Sequence, residues 1–557
     1  MDIEVKENIK KTSFSKKSFF CVVVSLIGIL GFFLVFNRAY FSSGMSQVLG
    51  LSEENIVVYN TFTISFSNTV DTSFKEEIVD ILNEISFNET KRFQLVDSEG
   101  DIQIGNVQEE IKSSLILSDS YLVPVGHMYW IESDFTSEDG MKVYVTDDGD
   151  MNYLSSLTEY SPVVVDDLLE ELEASEDTVA FIPIQNLTFD YKLLNLDEKY
   201  FLDDVEGGIR RILVAEINNM DNFFILGVLS RNIEELLSEN FKEENIAKVN
   251  MTGVTAISRD LAGKIEASGD DAYPAENIGD FLADADLTHT SNEVSFVEGC
   301  VPQASMRFCS APKYIATLEA SGIDIVSLTG NHNNDYGASS NTSTINTYIE
   351  KGWDYFGGGL DAEDAAKILY KEVNGNTIAF IGYNYYDTML GTGAIATSSH
   401  AGANSYSESK MENDIEEAHK NADIVIVDFQ FQECYSYPSS DVIFPICYRP
   451  LSSPDQKGVF RLAITYGADI VVGVQAHQPQ TYELYGDGII FYGLGNLYFD
   501  QTPWIGTRQG MILTHYFYNG SHIQTKITPT IYDSDMKTRI ATEEEGDLLL
   551  DLLKDAR

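Results

Sequence analysis

Leu328-Thr329-Gly330-Asn331-His332-Asn333-Asn334-Asp335-Tyr336-Gly337 follows the apolar run Gly322-Ile323-Asp324-Ile325-Val326-Ser327. That run reads as a buried strand. An amide, an imidazole and a carboxylate are thus delivered together at a strand's C-terminal end, where open α/β sheets bind ligands. Their oxygen and nitrogen donors suit a divalent cation. The competing reading is a polar turn, because Asn, Asp and Gly are the residues turns use.

Working outward, segments with strand character recur at 249–257, 377–383 (TIAFIGY), 422–429 (ADIVIVDF), 470–473 and 488–492. Segments with helical spacing lie between them at 314–321, 342–351 and 362–369, and a strand is expected to end in the polar cluster 285–293. This alternation predicts a layered α/β sandwich over residues 249–532. Residues 533–557 form a tail whose stretch 543–554 has the spacing of an acidic amphipathic helix.

Upstream, residues 56–245 alternate strand-like and helix-like pieces and predict a separate α/β domain. The stretches 121–130 and 178–184 read as buried strands, and 168–174 and 232–244 as acidic amphipathic helices. The order YLVPV … VAFIPIQNLTFDYKLL resembles a periplasmic solute-binding type of domain. His127 reads as a packed or surface histidine, and no catalytic constellation is visible there. Residues 38–55 read as a tether.

The N-terminus sets the expected topology. Residues 19–36 (FFCVVVSLIGILGFFLVF) are uncharged and about long enough to cross a hydrocarbon core. Lys6, Lys10, Lys11, Lys16 and Lys17 precede the run and only Arg38 is near its far end, so residues 1–18 are placed in the cytoplasm and the bulk of the chain outside the cell. The expectation is one transmembrane helix over 19–37 in a single-pass cell-membrane protein. A cleaved signal peptide competes with it, but no A-x-A site follows the run. The 87 acids against 36 bases give a net charge of −51, which repels polyanions and argues against nucleic-acid binding. Of five cysteines, Cys21 lies in the apolar run. Cys300 with Cys309, and Cys434 with Cys447, bracket two local loops and predict two disulfides in an oxidising compartment, with free buried thiols as the alternative.

Four strand ends share a composition: Asn292 and Glu293; Asn331, His332 and Asp335; Gln430, Gln432 and Glu433; and Gln475 with His477. A last strand leads into Gly493-Leu494-Gly495-Asn496-Leu497-Tyr498-Phe499-Asp500. One such cluster is a turn or a cap. Several ending at one sheet edge imply a pocket.

These residues carry a family resemblance. Asn331-His332-x-x-Asp335-x-Gly337 after Gly-x-Asp-Ile-Val resembles the NNHxxDyG signature of the capsule-synthesis CapA family. Gly473 to Gln480, Glu483 and Tyr492-Gly493-Leu494-Gly495-Asn496 resemble that family's closing motif. Gly253 to Arg259 is similar to its GDvmlgR opening, Ser291-Asn292-Glu293 to its NLE element, and the stretch ending at Glu433 to HWGxEY. The resemblance covers 249–532 and implies a calcineurin-like metallophosphatase-type fold. It also implies a role in making or exporting poly-γ-glutamate or a related surface polymer.

The sequence departs from the pattern in its ligand positions. Val254 stands where the family has its first Asp, Phe429 or Gln430 where it has a His, and Gln475 for the first His of HxH. Val is no ligand and Gln a weak one, so a two-metal mechanism is not expected; Glu293, Asn331, His332, Asp335, Glu433 and His477 remain to hold one divalent cation of unspecified identity or to act as acid and base without metal. Under an enzymatic reading, His332, Glu433 and Asp335 are the catalytic candidates, Glu293 or Glu433 being the counterpart to His332. Glu293, Asn331, His477 and Gln475 are the metal candidates, and Asn292, Arg259, Gln430 and Asn496 would bind substrate. The alternative is a non-catalytic module that binds a polymer or glycan through a degenerate metal site. Expected partners are the membrane, an anionic surface polymer and other capsule-synthesis proteins.

Overall fold

The computed structural model describes residues 62–431 and 456–556, apart from residues 85, 88–89, 92, 110, 112–113, 132, 136–140, 159, 176, 218–228, 232 and 238–239. The apolar run 19–36, Cys21, Gln432, Glu433, Cys434 and Cys447 lie outside the described residues. Among the described residues, no helix is long and apolar enough to cross a membrane.

The chain divides into two compact units. In the smaller, which holds residues 62–65 and 79–102, Phe62, Thr63 and Ile64 pair in parallel with Phe93, Gln94 and Leu95.

The larger unit begins with a mixed sheet in the order Ile209–Ile217, Ser114–His127, Thr178–Pro183, Lys142–Val145, Val163–Val164, with Tyr191–Leu193 also paired to Ser114–His127. Leu122, Val123, Val125, Ala180 and Ile182 are buried along its centre. The helix Leu168–Ala174 starts where the Asp167 carboxylate accepts from the Glu170 backbone N–H at 3.1 Å, which caps an otherwise unsatisfied donor. Among the described residues of the helix expected over 232–244, two short 3₁₀ turns form instead, Glu234–Leu236 and Glu243–Asn245. Asn240 breaks the helical path: its side-chain oxygen accepts from the Asp119 backbone N–H at 2.9 Å, and Phe241 packs against Tyr121 and Phe201.

Beyond it lie two facing sheets. The first comprises β1 (Ile246–Thr255), β2 (Leu287–Asn292), β3 (Ile325–Ser327) and β4 (Asp354–Phe356). The second comprises β5 (Leu369–Val373), β6 (Asn376–Asn384), β7 (Ile424–Gln430), β8 (Ile470–Val474), β9 (Pro479–Tyr485) and β10 (Gly488–Leu494). β11 (Asn496–Tyr498), β12 (Gln509–Tyr518), β13 (Ser521–Tyr532) and β14 (Thr538–Ile540) complete the first sheet, ordered β4-β3-β2-β1-β12-β13-β14 with β11 also on β1. The second runs β5-β6-β7-β8-β10-β9.

Met251, Ile325 and Phe356 of the first sheet share an apolar core with Phe380, Ile426, Val472 and Phe491 of the second. Helices cover both outer faces. α1 (Arg259–Ser268) and α2 (Ala338–Lys351) contribute Leu261, Ile265, Ile345 and Tyr348 on one side; α3 (Glu408–Ala418) and α4 (Gln456–Thr465) contribute Met411, Ile415 and Phe460 on the other. The result is a mixed α/β sandwich of four layers. The C-terminal helix α5 (Glu543–Asp555) opens on a reciprocal cap between Thr542 and Glu545 and sinks Leu549 and Leu553 into the inter-sheet core. Each of those leucines contributes about 2 kcal/mol by leaving water.

Two expected elements differ. The polar run after residue 286 does not terminate a strand; it is β2, with all six residues buried. Its two threonine hydroxyls and its amide are satisfied inside: Thr288 Oγ1 donates to the Leu282 carbonyl at 2.5 Å, Thr290 Oγ1 lies 2.8 Å from Thr255 Oγ1, and Asn292 Nδ2 donates to Tyr348 Oη at 2.6 Å. The helix expected over 362–369 stops at Ala365, and β5 begins at Leu369 to pair with β6.

Strands β1 to β3 run parallel, as do β6, β7, β8 and β10. Their C-terminal residues Thr255, Asn292 and Ser327 on one sheet, and Asn384, Gln430, Val474 and Leu494 on the other, end on the edge from which the polar loops depart. The N-terminal sheet is fastened to this sandwich through Asp203, which accepts from Tyr516 Oη at 2.9 Å and lies 3.1 Å from both Lys248 and Lys526.

Candidate functional site

The loop after β3 is shaped from within. Asn333 Nδ2 donates to the carbonyls of Leu328 (3.1 Å) and Gly330 (3.2 Å), and Ser295 Oγ donates to the Asn333 carbonyl at 2.6 Å. A Cβ at Gly330 would lie 2.5 Å from both Cα and Cβ of Glu293, so the loop can approach the end of β2 only with glycine there. This turn presents Asn331 and His332. Buried Gln430, at the end of β7, donates its side-chain amide to Asn331 Oδ1 at 2.9 Å. Phe429 instead faces the outer helices and stacks on Phe460 at 4.8 Å. Of the two registers the sequence leaves open, Gln430 therefore occupies the strand tip.

His332 Nδ1 is 2.7 Å from Asp335 Oδ2, which also accepts the Phe308 backbone N–H at 2.7 Å. A carboxylate can only accept, so the imidazole carries its proton on Nδ1 and Nε2 is the basic nitrogen. The Phe308 ring lies 4.1 Å from the His332 ring. Phe308 is delivered by a loop closed by the Cys300–Cys309 disulfide, whose Cα atoms are 6.0 Å apart.

Arg259, at the start of α1, lies over Phe308 (4.6 Å) and Phe499 (4.8 Å) and ion-pairs with Asp500; Asp500 also accepts the Asp260 backbone N–H at 2.9 Å. Phe499 in turn stacks on His477 at 5.1 Å. His477 Nδ1 donates to Asn496 Oδ1 at 2.9 Å, and Asn496 Nδ2 donates to the His477 and Thr507 carbonyls. A contiguous series of contacts therefore runs from His332 through Phe308, Arg259 and Phe499 to His477. Arg259 (φ 46°), Gln475 (φ 88°) and His477 (φ 53°) all have left-handed backbones, each costing about 1–3 kcal/mol and concentrated at one edge, as functional loops are.

Residues 248–501 match the family model described as Bacterial capsule synthesis protein PGA_cap. This segment belongs to the capsule-synthesis CapA family. The CapA-family segment is similar to the Capsule biosynthesis protein CapA of Bacillus anthracis, with 30% identity over 246 residues covering 43% of this chain and 56% of that one. It is also similar to the PGA biosynthesis protein CapA of Bacillus subtilis (strain 168), with 29% identity over 216 residues covering 39% and 52%. The chain spans about half the length of these curated relatives. Among solved structures, an ABC-type phosphate transport receptor from Vibrio cholerae aligns at 14% identity and TM-score 0.23, over 32% of this chain and 98% of that one. A reduced form of OxyR from N. meningitidis aligns at 13% and 0.21, over 31% and 94%. Likeness at that level carries no argument.

Within the CapA-family segment, the donors at the strand tips do not fit a two-metal cluster. Val254 is buried and apolar, the Gln430 and Asn331 amides bind each other, and the Nδ1 atoms of His332 and His477 face Asp335 and Asn496. Among the described residues, no three His, Cys, Asp or Glu side chains are grouped to hold a metal. Asn292 and Asn496 turn their amides into the protein rather than toward a ligand. Glu293 and Gln475 are fully buried beneath the edge. Phe308, Phe499 and Asp500 complete the cluster and carry no sequence signal of their own, although the last two close the same Gly493–Asp500 run that supplies Asn496.

Proposed function

We propose that this chain works in the biosynthesis or export of a capsule or poly-γ-glutamate-type surface polymer, through a sandwich of the calcineurin-like metallophosphatase type. Residues 19–36 anchor it in the cell membrane with the bulk of the chain outside, where it meets an anionic polymer and other capsule-synthesis proteins. The observation that carries the site assignment is the His332–Asp335 pair at 2.7 Å on a strand-tip loop. Asp335 fixes the tautomer and His332 acts as general acid–base in hydrolysis or transfer within the polymer. Arg259, held between two rings, is neutralised by Asp500, and this locally neutral patch spares a carboxylate-bearing substrate the repulsion of a chain of net charge −51.

A second reading, a polymer-binding module without turnover, is favoured by Val254 and the mutually bonded Gln430 and Asn331 amides at family ligand positions. One experiment separates the two. The His332→Ala chain is compared with the parent for polymer cleavage or transfer and for polymer binding. Loss of turnover with binding retained supports the enzyme; binding by both chains with turnover by neither supports the module. Full turnover by the variant removes His332 from the mechanism.

A further inference from the structure

One strand step inside the edge, the two sheets face each other through a pair of ionisable residues that the site above does not use. His289 is on β2 and Asp428 on β7, and both side chains are fully buried. His289 Nε2 and Asp428 Oδ2 are 3.5 Å apart, and neither imidazole nitrogen nor either carboxylate oxygen makes a hydrogen bond. A charge-assisted bond between two such groups closes to about 2.7–2.9 Å. Two ligands on one tetrahedral ion, with bonds of about 2.0–2.1 Å, stand about 3.4 Å apart. The spacing is that of co-ligands.

The neighbours point the same way. Two residues further along each strand, and so on the same faces, are Ser291 and Gln430. Ser291 Oγ and Gln430 Oε1 are buried and also lack a hydrogen-bond partner. Gln430 has its nitrogen committed to Asn331, which leaves its oxygen as the atom available to an ion. The His289 ring otherwise meets Phe356 at 5.7 Å, beside the apolar inter-sheet core, where an uncompensated carboxylate is strongly disfavoured.

We propose that His289 and Asp428 bind one first-row divalent cation between the sheets, with Ser291, Gln430 or water completing its shell. One imidazole with oxygen donors suits zinc, iron or nickel better than magnesium or calcium. The ion is loaded as the chain folds and ties β2 to β7 directly behind the strand tips. The family's Asp and His positions at 254 and 430 hold Val and Gln here, while a His and an Asp stand at 289 and 428. The inference does not depend on the acid–base reading of His332.

The test is the metal content of the purified full chain after unfolding, refolding in the presence of zinc or cobalt(II), and desalting. The parent is expected to retain about one ion per chain, His289→Gln and Asp428→Asn below about 0.1, and His332→Ala and His477→Ala about one. An ion lost from the tip variants but kept in the inter-sheet pair would overturn the proposal, as would a parent that retains none. X-ray absorption of the cobalt-loaded parent reads the site without substitution, should the core variants fail to fold. One imidazole among oxygen ligands is expected, and two or more imidazoles would place the ion elsewhere.

Discussion

The Gln430 side-chain amide donates to the Asn331 side-chain oxygen across 2.9 Å, and in doing so joins the tips of strands that belong to different sheets. No backbone hydrogen bonding links β3 to β7, so side chains at the edge must set their separation. Gln430→Ala removes the donor from the half-buried Asn331 oxygen and is expected to cost about 0.5–1.5 kcal/mol. Equilibrium denaturation of the parent and variant measures it; a change under about 0.5 kcal/mol would mean that the two tips are held by other contacts.

Asp335 accepts from both the His332 ring and the Phe308 backbone. Asp335→Asn retains the shape but offers an amide where two donors converge. We expect His332 to lose its fixed tautomer, and any polymer turnover to fall by roughly the 10²–10⁴-fold that a positioned acid–base contributes. Steady-state rates of Asp335→Asn and His332→Ala should then be similar. Their disagreement by more than an order of magnitude would separate the two residues.

The Cys300–Cys309 bond closes the loop that carries Arg307 and Phe308 to the site. Replacing both cysteines by serine should lower stability by about 2–4 kcal/mol. Because Phe308 packs on His332 and under Arg259, the same variant should weaken polymer binding. Thermal melts with and without reductant check the first effect, and a binding isotherm checks the second.

His515 and His522 are buried on the β12–β13 hairpin and share Thr525 Oγ1, each at 2.8 Å. Burial pushes His522 down to about 3 and His515 well below its ordinary value, so both are neutral in the fold. The unfolded chain binds these protons near pH 6.5 and the folded chain does not. Their contribution is therefore complete above that pH and is lost as pH falls through the window from about 6.5 toward 3, by about 1.4 kcal/mol per pH unit for each histidine. Unfolding free energies between pH 7 and 4.5 should show this slope, and His522→Gln should roughly halve it. A slope unchanged by the substitution would assign the acid sensitivity to other groups.

Gly330→Ala places a methyl group against Glu293 and must displace the Asn331–His332 turn. The expected outcome is a folded chain whose polymer turnover and binding drop together, because the loop moves as a unit. Circular dichroism confirms the fold. A variant with native binding would show that the loop tolerates the shift.

Local pattern was enough to reveal most of the sandwich. The apolar runs at 422–429 and 470–473 became β7 and β8 because β-rich stretches bounded by polar residues have few other ways to bury themselves, and the two local cysteines 300 and 309 paired as their spacing suggested. The family of residues 248–501 was likewise legible in Asn331-His332-x-x-Asp335 and Gly493-Leu494-Gly495-Asn496. What sequence could not convey was which polar residues face inward. Thr288 to Asn292 read as a polar cluster at a strand's end, yet they form a buried strand, in which a carbonyl, a hydroxyl and a phenol from 6 to 56 residues away bond Thr288, Thr290 and Asn292. Phe308, Phe499 and Asp500 were invisible as site residues for the same reason. Only tertiary packing brings a disulfide loop, a helix start and the chain beyond residue 498 around one guanidinium. The opposition of His289 and Asp428 depends on how two sheets stack, a distance of 139 residues along the chain that no periodicity encodes.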